Sequence, residues 1–168
     1  MLSFEEFAET RGPSLTRLAF LLCGDRHLAD DLTQSTLAKA YRKWPRISGL
    51  EFPEAYTRRV MVREYASWRR RRAASEILTA NPDGLAATLD TVDDHSDLVV
   101  QVDAVWRLLG TLPPKQRAVL VLRYYLDQDD HQIAETLGCS TSTVRSNTAR
   151  ALASLRLTHP VETEEVTS

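Results

Sequence analysis

The amino-acid sequence predicts an all-α protein of two small helical domains joined by a flexible acidic linker. Apolar residues recur at helical spacing over residues 1–72 and 98–157. Residues 73–97 between them have no sustained period and contain Asn81-Pro82-Asp83-Gly84, which is a strong turn signal. The predicted boundaries are 1–72 for the first domain, 73–97 for the linker, 98–157 for the second domain and 158–168 for an acidic tail.

The first domain begins with a predicted capped helix. Ser3 and Glu6 have the spacing of a capping box, and apolar residues follow at helical spacing as far as Leu22. Gly12-Pro13 predicts a break or kink in this segment, because proline lacks the amide hydrogen that an α-helix uses. Gly24-Asp25 predicts its end.

The next predicted helix runs from about Leu28 to Trp44 and has an acidic start. Asp30 and Asp31 suit the positive end of the helix dipole, which is one interpretation of these carboxylates. With Gln34 and Ser35 they also form a polar surface on which a basic partner can dock. The residues by themselves favour neither interpretation.

A third helix, predicted from Pro53 to about Arg72, has two different faces. Met61, Tyr65 and Trp68 form an apolar stripe, which we expect to be largely buried. The other face combines an aromatic ring with arginines: Tyr56, Arg59, Arg63 and Arg70, next to the basic run that starts at Arg69. Rings and cations together suit single-stranded nucleic acid, because rings stack on bases and cations bind the backbone. The alternative is that most of these aromatic residues simply belong to the core.

The second domain contains a predicted helix-turn-helix between Asp130 and Leu152. Ala134 permits close helix approach, Gly138 supplies the turn, and Val144 follows at the spacing that this DNA-binding motif needs. Apolar residues line one face of each helix: Ile133, Ala134, Leu137, Val144, Ala151 and Leu155. Helical segments around Val102–Leu109 and from Lys115 to about Leu126 precede the motif.

Small, polar and guanidinium side chains occupy the outward face of the second helix of this motif: Ser142, Arg145, Ser146 and Ala149, with Arg150 beside them. Such a face fits the major groove of DNA, where arginine makes two-pronged bonds to guanine and serine donates to bases or phosphates. The alternative is an ordinary solvated helix surface.

The charge distribution also indicates nucleic acid. The chain has a formal net charge of -2, yet residues 1–72 carry 14 basic and 9 acidic side chains. Residues 104–157 carry 7 basic and 4 acidic side chains, whereas residues 73–103 carry 7 acidic and no basic ones. Two basic blocks separated by an acidic stretch predict two modules that face nucleic acid.

Other classes of protein are not supported by the sequence. No apolar run approaches the roughly 18 residues of a membrane span, and the N-terminus is acidic where a signal peptide is basic, so we expect a cytoplasmic protein. Cys23 and Cys139 stand alone, and the four histidines lack ligand spacing, so no metal site, disulfide or cofactor is expected. Because no carboxylate cluster or nucleophile constellation is present, we do not expect an enzyme.

Over nearly its full length the chain resembles group 4, or extracytoplasmic function (ECF), sigma factors of bacterial RNA polymerase, and among them the short actinobacterial SigE-like members. Three motifs carry the resemblance, in the family's order: Asp30-Asp31-Leu32-Thr33-Gln34-Ser35-Thr36-Leu37 with Tyr41 and Trp44, Pro53-Glu54-Ala55-Tyr56 through Arg72, and Leu112-Pro113-Pro114-Lys115-Gln116-Arg117 through Leu155.

The resemblance implies sigma regions 2 and 4 and promoter-specific initiation of transcription. The first motif resembles the region 2 helix that docks on the clamp helices of the polymerase β′ subunit, which implies core contacts by Asp30, Asp31, Gln34 and Ser35. The second resembles the segment that opens and reads the minus-ten element, which implies DNA contacts by Tyr56, Arg59, Arg63, Arg69 and Arg70. The family often has Asn where this chain has Arg63.

The third motif resembles region 4, which is expected to meet the β flap of the polymerase. Thr143-Val144-Arg145-Ser146 looks like the opening of the helix that reads the minus-thirty-five element, and Lys115, Arg117 and Arg123 are expected to contact phosphates. The implied partners are the polymerase core and promoter DNA, and an anti-sigma factor is left open as a third. A second interpretation of the helix-turn-helix is a regulator that binds a palindromic operator as a dimer, without polymerase.

Overall fold

The structure is a computed structural model that describes residues 1–78 and 104–158, apart from the side chains of 76–78. These residues form helices and no strand, which confirms the predicted all-α class. None of the helices in these two ranges is long and apolar enough to cross a membrane. The contacts divide the chain into two compact units, Met1–Trp106 and Arg107–Ser168. Most of the predicted linker, from 79 onward, and the predicted tail from 159 lie outside the described residues.

The first unit is built from α1 (Phe4–Cys23), α2 (Arg26–Arg42), α3 (Trp44–Ile47) and α4 (Pro53–Leu78). α1 packs against α2 and α4, and α2 packs against α4. Large apolar side chains from all four helices are fully buried and form the core: Phe7, Leu15, Leu18, Leu22, Leu32, Ile47, Met61 and Val62.

The N-terminal cap of α1 is the predicted one. Of the break or kink predicted at Pro13, the break is wrong. The Ser3 hydroxyl accepts from the Glu6 amide over 3.1 Å, and the Glu6 carboxylate accepts from the Ser3 amide over 3.0 Å. The helix continues through Pro13 to Cys23. Phe7 before the proline and Leu15 after it are buried in the same core, so tertiary packing offsets the backbone bond that proline cannot make.

The bounds of α2 and α4 also differ from those predicted. α2 begins at Arg26, because the Asp25 carboxylate accepts from the Leu28 amide over 2.9 Å and caps the helix. α2 ends at Arg42, before the predicted Trp44, and Pro45 lies in the first turn of α3. α4 continues past Arg72 to Leu78, and the residues that follow Arg72 include alanines, which have high helix propensity.

Gly24 ends α1 in the left-handed conformation, with φ of 69°, and its amide donates to the Phe20 carbonyl over 2.8 Å. The Trp106 ring, which belongs to this unit, lies 5.2 Å from the Phe20 ring between centroids and covers Gly24. A Cβ atom at Gly24 would lie 2.2 Å from the indole. The position therefore requires glycine both for its backbone and for its space.

Helix α5, described over 104–109, contains the boundary between the two units, after Trp106. The second unit continues with α6 (Pro114–Leu120), a π-helical segment (Val121–Tyr125), α7 (Asp130–Leu137) and α8 (Thr141–Thr158). α8 packs against α6 and α7. The predicted single helix from Lys115 to Leu126 is thus two segments, and the wider π turn is closed by a 3.3 Å bond from the Leu126 amide to the Val121 carbonyl.

The predicted helix-turn-helix is confirmed in α7 and α8. Asp129 and Gln132 form a capping box at the start of α7, and Gly138 turns the chain in the left-handed conformation with φ of 67°. Ile133 and Val144 are fully buried on the facing sides of the two helices. The inner faces of the two helices of the motif are therefore packed together.

Candidate polymerase-docking and DNA-binding surfaces

The outward face of α8 is exposed, as the helical spacing predicts. Val144 and Ala151 are fully buried on the inner face of the helix. The side chains predicted to face DNA are all exposed: Ser142, Arg145, Ser146, Ala149 and Arg150. At the start of the helix, the Ser140 hydroxyl accepts from the Thr143 amide over 3.1 Å and fixes the first turn. The structure thus presents a small, polar and cationic stripe on a rigid helix.

One member of this stripe, Arg145, is bound to a carboxylate that sequence reasoning did not single out. Its Nε donates to Oδ2 of Asp130 over 2.9 Å, and Arg123 donates to Oδ1 of the same carboxylate. The bond from Arg145, followed by that from Arg123, holds the pKa of Asp130 below its ordinary value. No local sequence signal links Asp130 with Arg145, because they are 15 residues apart and belong to different helices.

The three residues predicted to contact phosphates have different environments. Lys115 is exposed at the start of α6. Arg123 is half-buried and occupied by Asp130. Arg117 is only 7% exposed and belongs to the interior of the second unit. This burial does not favour a phosphate contact by Arg117, so we leave it out of the proposed interface.

The basic face of α4 is also at the surface. Arg59, Arg63 and Arg70 are exposed, and Tyr56 is half-buried one turn before Arg59. The ring of Phe52, in the loop before α4, is 65% exposed. Aromatic and cationic groups therefore succeed one another along one helix, beginning at the loop.

The apolar stripe of α4 is buried, which confirms the expectation for Met61 and Tyr65. Trp68 is half-buried. The Arg69 guanidinium lies over the Tyr65 ring, 6.0 Å from its centroid, and donates to the Tyr65 hydroxyl over 3.4 Å. Arg69 is thus directed by a core residue, whereas Arg70 projects into solvent.

On α2, Asp30, Asp31 and Gln34 are exposed, while Ser35 is half-buried. The helix-dipole interpretation of the two aspartates is wrong, because α2 begins at Arg26 and has no acidic residue in its first turn. The dipole acts within the first turn, so it does not explain carboxylates in the second. The interpretation as a polar docking surface stays a prediction.

Glu64 is a buried carboxylate between α2 and α4 that sequence reasoning missed. It is 9% exposed and accepts hydrogen bonds from three side chains on the two helices: Ser35 over 3.3 Å, Trp68 over 3.2 Å, and Lys39. Burial raises its pKa, but the bond and charge of Lys39, with the bonds from Trp68 and Ser35, outweigh burial, and the pKa lies below the ordinary value. An available signal was the position of Glu64 within the apolar stripe between Met61 and Trp68.

Family comparisons agree with this division of surfaces. Residues 7–75 match the family model described as "Sigma-70 region 2", and residues 103–155 match that described as "Sigma-70, region 4". The first match contains the candidate surfaces on α2 and α4, and the second contains the helix-turn-helix. A chain that carries both regions is a sigma factor and not an operator-binding regulator, which rules out the second interpretation of the motif.

Named relatives support the same family. The chain is 38% identical over 157 residues to the RNA polymerase sigma-E factor of Streptomyces avermitilis, covering 93% of this chain and 84% of the relative. It is 30% identical over 148 residues to the ECF RNA polymerase sigma factor SigL of Mycobacterium tuberculosis, covering 86% and 81%. These identities and coverages are enough to assign the family.

A solved structure has the same fold. The sigma factor RpoE of Bartonella quintana, crystallised with the anti-sigma factor NepR, aligns with a TM-score of 0.60 and 24% identity over 95% of this chain and 98% of that one. Sigma factors bind RNA polymerase core and promoter DNA. The chain therefore belongs to the ECF group of RNA polymerase sigma factors, is similar to its SigE members, and directs promoter-specific initiation of transcription.

Proposed function

We propose that three surfaces divide the work of initiation. The exposed part of α2 around Asp30, Asp31 and Gln34 docks on the β′ clamp helices of the polymerase. The basic face of α4 binds the minus-ten element, and the outer face of α8 reads the minus-thirty-five element. The region 2 module would then extend to the end of α4 at Leu78, past the predicted boundary at Arg72. The predicted domain 98–157 would be the region 4 module, and the remainder of the predicted linker 73–97 would join the two.

The observation that carries the proposal is the geometry of α8. Its inner residues Val144 and Ala151 are fully buried, so the helix cannot rotate, and the opposite stripe is exposed. Small side chains at Ser142, Ser146 and Ala149 permit close approach to base edges, while an arginine supplies a two-pronged donor. An α-helix with such a face fits the major groove of duplex DNA. Exposed Lys115 would add a phosphate contact that positions the unit without reading sequence.

The proposal for α4 rests on aromatic rings at the start of the helix that are followed by exposed guanidinium groups. Exposed Phe52 and half-buried Tyr56 provide faces on which unpaired bases can stack. Arg59, Arg63 and Arg70 follow at helical spacing and are exposed, so their guanidinium groups can reach the backbone or an unpaired base of the opened strand. This arrangement suits single-stranded DNA better than duplex DNA, in which base faces are covered by stacking.

For α2 the support is an exposed polar surface on which the carboxylates of Asp30 and Asp31 neither cap the helix nor pair with another described side chain. Ser35, the fourth predicted contact, is half-buried and donates to Glu64, so its role would be to position α2 and not to touch the polymerase. We also infer that the protein acts by binding alone, not as an enzyme, and works in the cytoplasm, where the polymerase is. The β flap is the proposed site for region 4. An anti-sigma factor is a further proposed partner, since the solved relative was crystallised with one.

Site-specific photocrosslinking in the reconstituted holoenzyme tests the three assignments together. A photoreactive amino acid would replace Gln34, Tyr56 or Ser146, one at a time. We expect Gln34 to crosslink to β′, Tyr56 to minus-ten DNA in the open complex, and Ser146 to minus-thirty-five DNA. Glu9, which is exposed on α1 and belongs to none of the three surfaces, serves as the control and should crosslink neither to β′ nor to DNA.

The assignments fail separately. Crosslinking of Ser146 to polymerase instead of DNA would refute the role of α8 and leave the other two standing. In vitro transcription with purified core can be run on fragments of the genome that encodes the chain. Comparing reactions with and without the chain identifies the promoters for these experiments and tests whether transcription requires the chain.

A further inference from the structure

We propose that Asp130 is a positioning residue for base recognition, whose carboxylate orients Arg145 so that the terminal nitrogens of its guanidinium are directed at the minus-thirty-five DNA. The inference rests on the proposed role of α8 in reading that element. Asp130 lies on α7, before the turn, so it acts through Arg145 and does not itself have to contact DNA.

The bond between the two residues uses the inner nitrogen of the guanidinium. Arg145 Nε donates to Asp130 Oδ2 over 2.9 Å, while 68% of the Arg145 side chain is exposed. A guanidinium has five N–H donors, and this bond takes one of them. The edge formed by the two terminal nitrogens is the edge that makes two-pronged bonds to O6 and N7 of guanine. Asp130 therefore holds Arg145 without consuming the edge that reads a base.

Asp130 is itself held. Arg123 of the π-helical segment donates to its other oxygen, Oδ1, and the Arg123 side chain is only 27% exposed. Both carboxylate oxygens are thus occupied, one by a half-buried anchor and the other by the exposed arginine. Hydrogen bonds from Arg123 to Asp130 and from Arg145 to Asp130 therefore connect the packed part of the unit with its proposed DNA-facing surface. This arrangement gives Arg123 a supporting role in place of the predicted phosphate contact.

Stability does not account for the bond between Asp130 and Arg145. The Arg145 side chain is 68% exposed, and an ion pair with such an exposed member contributes little to the free energy of unfolding. A negative charge beside a proposed DNA surface also weakens binding to every sequence, because it repels phosphates. The benefit of the Asp130 carboxylate is in discrimination between bases, since an arginine with a fixed orientation is less able to turn from the base to a neighbouring phosphate.

The test uses the holoenzyme and a promoter library randomised at the minus-thirty-five element. The preferred base at each position is first determined for the wild-type chain and then for Asp130→Asn and Arg145→Ala. We expect Arg145→Ala to flatten the preference at a particular base pair by about fivefold or more. Asp130→Asn should flatten the same base pair, while binding to non-preferred sequences stays equal or increases because a negative charge is lost.

Two further variants distinguish positioning from general effects. Glu135 is exposed on the same helix as Asp130 and makes no bond to Arg145, so Glu135→Gln removes the same charge and should leave the base profile unchanged. Asp130→Glu keeps a carboxylate in the first turn of α7 and should restore at least part of the preference that Asp130→Asn removes. Circular dichroism of each variant verifies that α7 and α8 are folded.

A double variant decides the coupling. When Arg145→Ala is already present, Asp130→Asn should cause no additional loss of base preference, because the residue that it positions is absent. An unchanged profile for Arg145→Ala would overturn the proposed role of Arg145 itself. Positioning by Asp130 would be overturned if Arg145→Ala flattens the profile and Asp130→Asn leaves it unchanged. It would also be overturned if Asp130→Asn causes the same loss of base preference with and without Arg145→Ala. Either result would leave the role of α8 intact.

Discussion

The hydroxyl of Ser35 on α2 donates a hydrogen bond to the buried carboxylate of Glu64 on α4, over 3.3 Å. The two residues are 29 positions apart, and the bond joins the helix proposed to dock on the polymerase with the helix proposed to bind the opened promoter. Lys39 and Trp68 donate to the same carboxylate from either helix. One ionised group therefore joins the two helices that carry these proposed functional surfaces.

Glu64→Gln is expected to destabilise the first unit at neutral pH by about 1 to 3 kcal/mol, because bonds to a charged acceptor are lost. The pKa of Glu64 is lowered in the folded protein, so its contribution is fully present above the ordinary glutamate pKa of about 4.3 and is lost as pH falls through the lowered value. The variant should therefore lose less stability on acidification than the wild type.

Urea unfolding followed by tryptophan fluorescence measures this difference, since all the tryptophans, Trp44, Trp68 and Trp106, belong to the first unit. Glu9→Gln on the exposed face of α1 is the matched control for removal of a carboxylate. Parallel pH dependences for wild type and Glu64→Gln would show that the ionised state of Glu64 does not stabilise the fold.

Asp31→Arg should weaken binding to polymerase core by at least about tenfold, because it places a like charge against the proposed basic partner. The residue is exposed, so the fold should be retained. Affinity for core is measured by fluorescence anisotropy of the labelled chain. Glu9→Arg makes the same reversal of charge elsewhere on the unit and should bind normally. Wild-type affinity of a folded Asp31→Arg protein would rule out docking through this part of α2.

Arg145→Ala and Lys115→Ala should affect DNA binding in different ways. The first is expected to cost about 1 to 3 kcal/mol at the preferred minus-thirty-five sequence and to relax discrimination at one base pair. The second should weaken binding to all sequences alike and lower the slope of affinity against salt concentration by about 1. Salt titrations of holoenzyme on preferred and scrambled duplexes measure both effects. If the two variants behave identically on the two duplexes, base reading and phosphate binding are not divided between these residues.

Arg63→Asn tests whether an exposed guanidinium selects the minus-ten base. A guanidinium can stack on an unpaired base and form a two-pronged bond to guanine, whereas a phosphate contact carries no sequence information. We expect the substitution to shift the preferred base at one minus-ten position of a randomised promoter library and to leave the minus-thirty-five preference unchanged. Arg59→Asn, one turn earlier, is the comparison. An even fall in activity across the library would assign Arg63 to phosphate binding instead.

Gly24→Ala should destabilise the first unit by about 2 to 4 kcal/mol, through left-handed strain and overlap with the Trp106 ring. Gly49→Ala is the control: its new Cβ atom would be 3.8 Å from the Arg46 carbonyl, and the effect should be within about 0.5 kcal/mol. Thermal unfolding by circular dichroism compares the two. Similar melting temperatures for both variants would mean that neither the backbone nor the Trp106 contact constrains Gly24.

The sequence by itself determined the all-α class, the helix-turn-helix and the side of α8 that faces outward. These features depend on the spacing of residues along one helix. Because helical geometry sets the side of the helix on which each residue lies, they can be predicted without the rest of the chain. The burial of Val144 and the exposure of Arg145 follow from a difference of one position. The same periodicity identified the core side and the basic side of α4.

Only the tertiary structure decided which charged residues are free and which are already occupied. Arg117, Arg123 and Lys115 have similar sequence signals, yet the first is buried, the second binds Asp130 and the third is exposed. Likewise, α1 passes through Pro13 because the helices around it bury both of its halves. Such outcomes depend on residues that are distant in sequence and meet only after the helices pack, so no local pattern specifies them. The Ser35–Glu64 and Arg145–Asp130 bonds are of this kind.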